Sequence, residues 1–210
     1  VKLGLPMANF DVAFLDATIK QGAKGHFDFI SVHPYENLAT VVTDGGEMGF
    51  LSLAGSLRKM LRENGEDGNM PLWISEIGFQ SLTRPDPVQD DRQAEALVMC
   101  HVMSLAQGFD KVFWFEARGP SYGKSTDYGL IRHDWSIRPA WTAYKSMIGL
   151  LGRHPEYLGW LNPGGESYGF LFEGNAGPVL VCWTPHGRGE VPASFGKGVV
   201  PKDLMGKDIP

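Results

Sequence analysis

Short apolar runs alternate with segments of helical period along most of the chain, and that alternation constrains the fold more than any other feature. Phe27-Asp-Phe-Ile-Ser-Val-His33, Leu72-Trp-Ile-Ser-Glu76 and Lys111-Val-Phe-Trp-Phe115 are each too short for a typical helix. Near-continuous apolarity over such lengths is what parallel strands covered on both faces require. Val1-Lys-Leu-Gly-Leu-Pro6 reads as the end of one more strand. Between these runs, residues 11–22 place Val12, Leu15 and Ile19 on one face, and residues 51–64 do so with Leu53, Leu57, Met60 and Leu61 before Asn64-Gly65. Residues 89–107 stop at Gly108, and residues 137–151 close on Gly152. Strands alternating with helices predict a parallel sheet. Strand starts are roughly 40 residues apart, so extended loops follow the strands and place function at their C-terminal ends.

Beyond Gly152 the texture changes. Ser167-Tyr-Gly-Phe-Leu-Phe172, a turn-rich Glu-Gly-Asn-Ala-Gly-Pro and Val179-Leu-Val-Cys-Trp183 form a β-hairpin signature, followed by Pro/Gly-punctuated runs without helical period. The expected organisation is an α/β domain over 1–155 and a partial all-β accessory module over 160–210. The chain opens on a strand end, without a basic or apolar leader, and closes without a terminal cap. It is therefore expected to be a piece of a longer protein.

Composition narrows the function classes. A net charge of −5 without basic clusters argues against a nucleic-acid partner, because phosphate binding needs concentrated Lys and Arg. No apolar run reaches the ~18 residues of a membrane span. Two cysteines, Cys100 and Cys182, make no disulfide framework. The six histidines (26, 33, 101, 133, 154 and 186) show no ligand-pair spacing, so no metal site is expected. No phosphate-binding glycine loop or dinucleotide fingerprint follows a strand, so no cofactor is expected either. The 12 Phe, 6 Trp and 6 Tyr often adjoin polar residues, a pairing that suits carbohydrate, whose C–H faces stack on aromatic planes while hydroxyls seek polar partners.

Three strand ends carry chemistry: Ser31-Val-His33-Pro-Tyr35, Ile74-Ser-Glu76-Ile-Gly78 and Phe113-Trp114-Phe-Glu116. Strand alternation groups Phe29, Ser31, His33 and Tyr35; Leu72, Ile74 and Glu76; and Val112, Trp114 and Glu116. If those faces point inward, His33, Tyr35, Glu76, Trp114 and Glu116 converge on one rim.

The succession DFISVHPY, LWISEIG, VFWFE and YGLIRHDWSIRPAWTAYKSMIGLLG resembles the C-terminal half of the large clan of retaining glycoside hydrolases on a (β/α)₈ barrel. In texture it is similar to the β-xylosidase-like and cellulase-like members with a trailing β-sandwich. The resemblance covers roughly residues 25–152 and implies a partial TIM barrel, about the last four βα units, followed by a small, incomplete β-sandwich. It implies Glu76 as the nucleophile, Tyr35 as its hydrogen-bond donor, His33 as a sugar or nucleophile contact and Trp114 as a platform under the sugar ring. The function implied is cleavage of O-glycosidic bonds in a β-linked oligosaccharide or polysaccharide by double displacement, without a cofactor. Enzymes of this clan are often exported.

The departure from the family is as informative. A retaining mechanism needs a second carboxyl group. In the clan it follows an Asn at the end of the fourth strand, and this chain has no Asn-Glu pair. The N-terminal half of the barrel is thus the missing partner, and the isolated chain is expected to be inactive. Glu116 is one strand over from Glu76, and the two could form the pair themselves; a sugar-hydroxyl acceptor or a partner for Arg118 is the simpler role. The competing function is a non-catalytic carbohydrate-binding protein on the same scaffold, and a third is a barrel enzyme abstracting protons with Glu76 or His33. Structural roles also stand for each residue: Glu76 salt-bridged to a loop cation, His33 packed before Pro34, Tyr35 as a rim aromatic, Trp114 as core, Glu36 simply solvated. Trp135, Arg138 and Trp141 are expected to dock the last helix, His101 to be buried in its helix, and residues 114–129 to form a loop bordering the cleft.

Overall fold

The computed structural model describes residues 1–120, 123–185 and 197–209. The chain runs β1 (Gly4–Pro6), α1 (Val12–Thr18) continuing into a wide helical turn (Ile19–Ala23), β2 (Phe29–Val32), α2 (Tyr35–Asp44), α3 (Glu47–Phe50) and α4 (Leu53–Glu63). It continues through β3 (Leu72–Ile77), β4 (Ser81–Leu82), α5 (Pro87–Ala106), β5 (Lys111–Trp114), β6 (Thr126–Asp127) and α6 (Pro139–Leu151). Last come β7 (Glu156–Leu161), β8 (Tyr168–Gly174) and β9 (Gly177–Trp183). Local chemistry sets the helix starts. The carboxylates of Asp11 and Asp86 accept from the Phe14 and Gln89 amides, and Pro87 occupies the first turn of α5, where its missing N–H costs nothing.

β1, β2, β3 and β5 form one parallel sheet in that order, as the alternation of runs predicted. β4 and β6 pair antiparallel in the loops beyond β3 and β5, and β7–β8–β9 make a separate antiparallel sheet. Helices cover one face of the parallel sheet. Ile30, Val32, Leu72, Ile74 and Ile77 are fully buried with Leu57 and Leu61 of α4 and Ala94, Leu97 and Cys100 of α5. Each large aliphatic side chain removed from water there contributes about 1.5–3 kcal/mol.

Among the described residues, no helix lies on the opposite face. Phe29 stacks on Trp73 at 4.0 Å between ring centroids, and Trp73 meets Phe113 at 6.4 Å. The Lys111 ammonium lies 4.6 Å over the Trp73 ring, and Phe113 is 48% exposed. Among the described residues, β1 and β5 are the free edges of this sheet.

Three expectations need correction. The segment after His33 is a helix from Tyr35 onward, not an extended strand end or loop. The antiparallel unit opens with β7 at Glu156, ahead of residue 160. Leu72 and Ile74 face the helices, not the inner face with Phe29 and Ser31. A bulge between Ile74 and Ile77 breaks the alternation, leaving Trp73 and Ser75 on the inner face and returning Ile77 to the core.

Candidate active site

Glu76 lies in the bulged C-terminal end of β3, where the strand leaves strict alternation. Its partner comes from the neighbouring unit. Tyr35, the first residue of α2, donates its phenol hydroxyl to Glu76 Oε1 at 2.8 Å. Burial, then the hydrogen bond to Glu76, hold this phenol well above its ordinary pKa, so Tyr35 remains a donor across the whole working pH range. The bond fixes one carboxylate oxygen.

A close approach of backbones shapes the same corner. A Cβ on Gly78 would sit 2.1 Å from the Phe115 carbonyl oxygen and 2.9 Å from Tyr128 Cδ1, so only glycine fits two residues after Glu76. Phe115 donates its amide to the Ile77 carbonyl at 2.7 Å. Tyr128 meets Tyr35 edge-on at 5.6 Å and Phe115 at 5.5 Å, giving Glu76 an aromatic wall of Tyr35, Tyr128 and Phe115.

Glu116 follows Phe115 through a cis peptide. Its amide donates to the Tyr128 carbonyl at 3.3 Å, and its carbonyl accepts from Leu130 at 3.0 Å, so the 128–130 segment fixes its backbone. Its side-chain Oε1 is buried with no hydrogen-bond partner. Burial first, then the charges of Asp127 and Glu76, raise its pKa, so Glu116 holds its proton more readily than an ordinary carboxyl group. Two carboxyl groups therefore share one electrostatic site, with Glu116 pushed toward its neutral form.

His33 Nε2 lies 2.9 Å from Ser75 Oγ, which in turn lies 2.5 Å from Ser31 Oγ. This polar chain crosses from β2 to β3 on the inner face, beside Glu76. Behind the rim is a buried cluster of two aspartates and two arginines. Arg138 donates to Asp127 Oδ1 at 2.5 Å, to the Gly129 carbonyl at 2.5 Å and to the Leu82 carbonyl at 2.7 Å. Arg132 pairs with Asp90, which also accepts from Ser81 at 2.7 Å. These contacts anchor the strand pair β4–β6, and with it the segment bearing Tyr128, onto α5.

The structure thus brings Glu76, Tyr35 and Glu116 to one corner and His33 to its edge. It does not bring Trp114 there. Trp114 pairs in register with Ile77, on the helix side of β5, and its ring lies 6.4 Å from His101 of α5, so the expected ring platform is corrected to a strand–helix packing residue. Arg118 is not Glu116's partner: it donates to the His133 carbonyl at 2.6 Å and lies over the Trp135 ring. Trp135 is 69% exposed and Trp141 39%, whereas Arg138, at the start of α6, is fully buried and anchors the helix through Asp127, the Gly129 carbonyl and the Leu82 carbonyl. His101 is buried as expected, and Glu36 is exposed as expected.

Sequence reasoning missed Ser75, Phe115 and Tyr128. Tyr128 carried a weak signal in its place just before Gly129, on the loop assigned to the cleft border. Ser121 and Tyr122 of that loop, and His186, lie outside the described residues. Among the described residues, no group of three or more His, Cys, Asp or Glu side chains is arranged to hold a metal ion, and no helix is long and apolar enough to cross a membrane.

No family model matches the chain, and no curated protein matches it in sequence. Solved structures do match in shape. A family 39 glycoside hydrolase from Bacteroides cellulosilyticus superposes with a TM-score of 0.64 at 20% identity, over 94% of this chain and 43% of its own. A GH51 arabinofuranosidase from Xanthomonas axonopodis pv. citri gives a TM-score of 0.54 at 12% identity, over 86% of this chain and 43% of its own. The chain has a glycoside-hydrolase-like α/β fold and spans under half the length of either relative.

Proposed function

We propose that this chain carries the nucleophile-bearing half of a retaining O-glycosidase site. In this reading residues 1–155 are about the last four βα units of a (β/α)₈ barrel, and residues 160–210 belong to a small β-sandwich. The open aromatic face of Phe29, Trp73 and Phe113 and the two free sheet edges support it, because a closed barrel buries such a face and pairs such edges. The observation that carries the proposal is the hydrogen bond from Tyr35 to Glu76 at the C-terminal end of a parallel strand. Active sites of parallel barrels are built at that end.

With one oxygen held by Tyr35, the other oxygen of Glu76 attacks the anomeric carbon of a β-linked oligosaccharide or polysaccharide. The glycosidic C–O bond breaks, and the leaving oxygen takes a proton from an acid/base carboxyl group supplied by the other half of the barrel. Water deprotonated by that same group then releases the sugar from Glu76. Tyr35 stabilises the carboxylate again as it leaves. Glu116 and His33 face the sugar hydroxyls, and no cofactor takes part.

The test is Glu76→Gln in a chain that also supplies the preceding βα units, assayed on an aryl glycoside. Turnover is expected to fall at least about a thousandfold with folding intact. Retention of more than a few per cent would overturn the assignment, and a parent chain that binds oligosaccharide without cleaving it would favour a carbohydrate-binding protein instead.

A further inference from the structure

Trp135 occupies a position its residue type does not suit. It is the one non-glycine residue with positive φ (70°) among the described residues, at the tip of a tight hairpin closed by Ile131 and Ile137. Its amide donates to the Arg132 carbonyl at 2.9 Å, and Ser136 donates to the Asp134 carboxylate at 2.9 Å from its amide and 2.7 Å from its hydroxyl. Glycine would adopt this backbone freely, whereas a bulky side chain there is strained. Packing does not repay the strain, since Trp135 is 69% exposed. Conflict of this kind between residue and backbone concentrates at functional sites.

The ring is nonetheless held. The Arg118 guanidinium lies 3.9 Å from its centroid on one face and is itself tethered to the His133 carbonyl at 2.6 Å. Arg118 Nε is buried without a hydrogen-bond partner. The Trp135 side chain is otherwise largely exposed. Arg118 also lies two residues beyond Glu116, roughly 7 Å along an extended segment. That segment is held to the hairpin by hydrogen bonds from Ile131 to Ala117 and from Gly119 to Ile131. The same segment therefore carries Glu116 of the candidate active site and ties it to the hairpin that bears Trp135.

We infer that Trp135 and Arg118 form an outlying saccharide subsite. A pyranose ring of the bound chain would lay its C–H face on the ring face of Trp135 away from Arg118, while the guanidinium holds the indole from behind. The inference rests on the glycosidase reading for its ligand class, and it uses residues that reading leaves unassigned. Ile137 and Trp141, 59% and 39% exposed, lie near in sequence, which makes a protein contact the competing use of the same face.

Trp135→Gly tests it cleanly, because glycine relieves the backbone and should leave the thermal midpoint unchanged or higher. Xylo-, cello- and laminari-oligosaccharides are titrated calorimetrically into the wild-type chain, Trp135→Gly and Glu76→Gln. The expected result is an affinity loss of about tenfold or more, ~1.4 kcal/mol, in Trp135→Gly for at least one of the series. Equal affinity of wild type and Trp135→Gly, or no binding by wild type, overturns the subsite. So does loss of self-association in sedimentation with saccharide affinity unmoved, which would mark a protein interface. Weakened binding in Trp135→Gly alongside retained turnover of Glu76→Gln in the longer chain would keep the subsite and sink the nucleophile assignment.

Discussion

Arg138→Met is the sharpest test of how the site is held. The arginine is fully buried, and its guanidinium serves Asp127, the Gly129 carbonyl and the Leu82 carbonyl, with Nε 3.6 Å from Asp90. Methionine keeps much of the aliphatic volume, so the cavity cost is small. The dominant effect is the Asp127 carboxylate, 1% exposed, left without its cation. Breaking a buried pair from one side costs about 3–5 kcal/mol, because the remaining charge keeps its desolvation penalty and loses its attraction. For a chain of this size, that lowers the thermal midpoint by roughly 6–20 °C. Circular dichroism melts and urea titrations read it directly. The double variant Arg138→Met/Asp127→Asn should recover a large part of the loss, since asparagine carries no stranded charge. A single-variant cost under about 1 kcal/mol, or a double variant no better than the single, would refute this account of the cluster.

Two further outcomes follow from burial and close approach. Burial pushes the His101 imidazole down to about 4 from 6.5, against the smaller opposing pull of the Leu97 carbonyl. The unfolded chain therefore takes up this proton first as the pH falls. The stability is complete above about pH 6.5 and is lost progressively toward pH 4, a gap worth about 3 kcal/mol. His101→Gln should flatten that part of the urea-midpoint profile, and an unchanged slope between pH 7 and pH 4 would count against it. Gly78→Ala should cost about 1–3 kcal/mol by forcing the Phe115 carbonyl away from the end of β3, read as a lowered urea midpoint, whereas a neutral alanine would show that the two backbones part easily.

Much of the architecture was legible because the parallel sheet is buried on its helix side. That burial writes itself as apolar runs between amphipathic helices, and all four parallel strands and four of the helices sit where those runs and periods put them. What the pattern missed has local causes. α2 opens at Tyr35 directly after Pro34 and carries Thr and Val in its last turns, residues with weak helical preference, so nothing in the run marks a helix. Period-two counting also placed Leu72 and Ile74 on the inner face, because it carried the face of Glu76 back through a bulge at Ser75-Glu76 that the residue types do not announce.

Glu76, His33 and Glu116 stood out because they lie at or just past strand ends, where motif order carries information, and Tyr35 because it follows His33 by two residues. Trp114 was misassigned for the reason Trp135 was: a tryptophan's burial cannot be read from its neighbours in sequence. Trp114 sits on the covered face of β5, opposite Ile77, and its ring is spent on packing against α5. Trp135 lies in a run, Arg132-His-Asp-Trp-Ser, whose turn chemistry calls for glycine or asparagine at the left-handed position. A large aromatic there resists explanation by folding alone, since it neither suits the turn nor fills the core. The sequence therefore hides the aromatic that packs and the aromatic that is displayed behind the same letter. Only the backbone conformation at residue 135, read with its exposure, separates them.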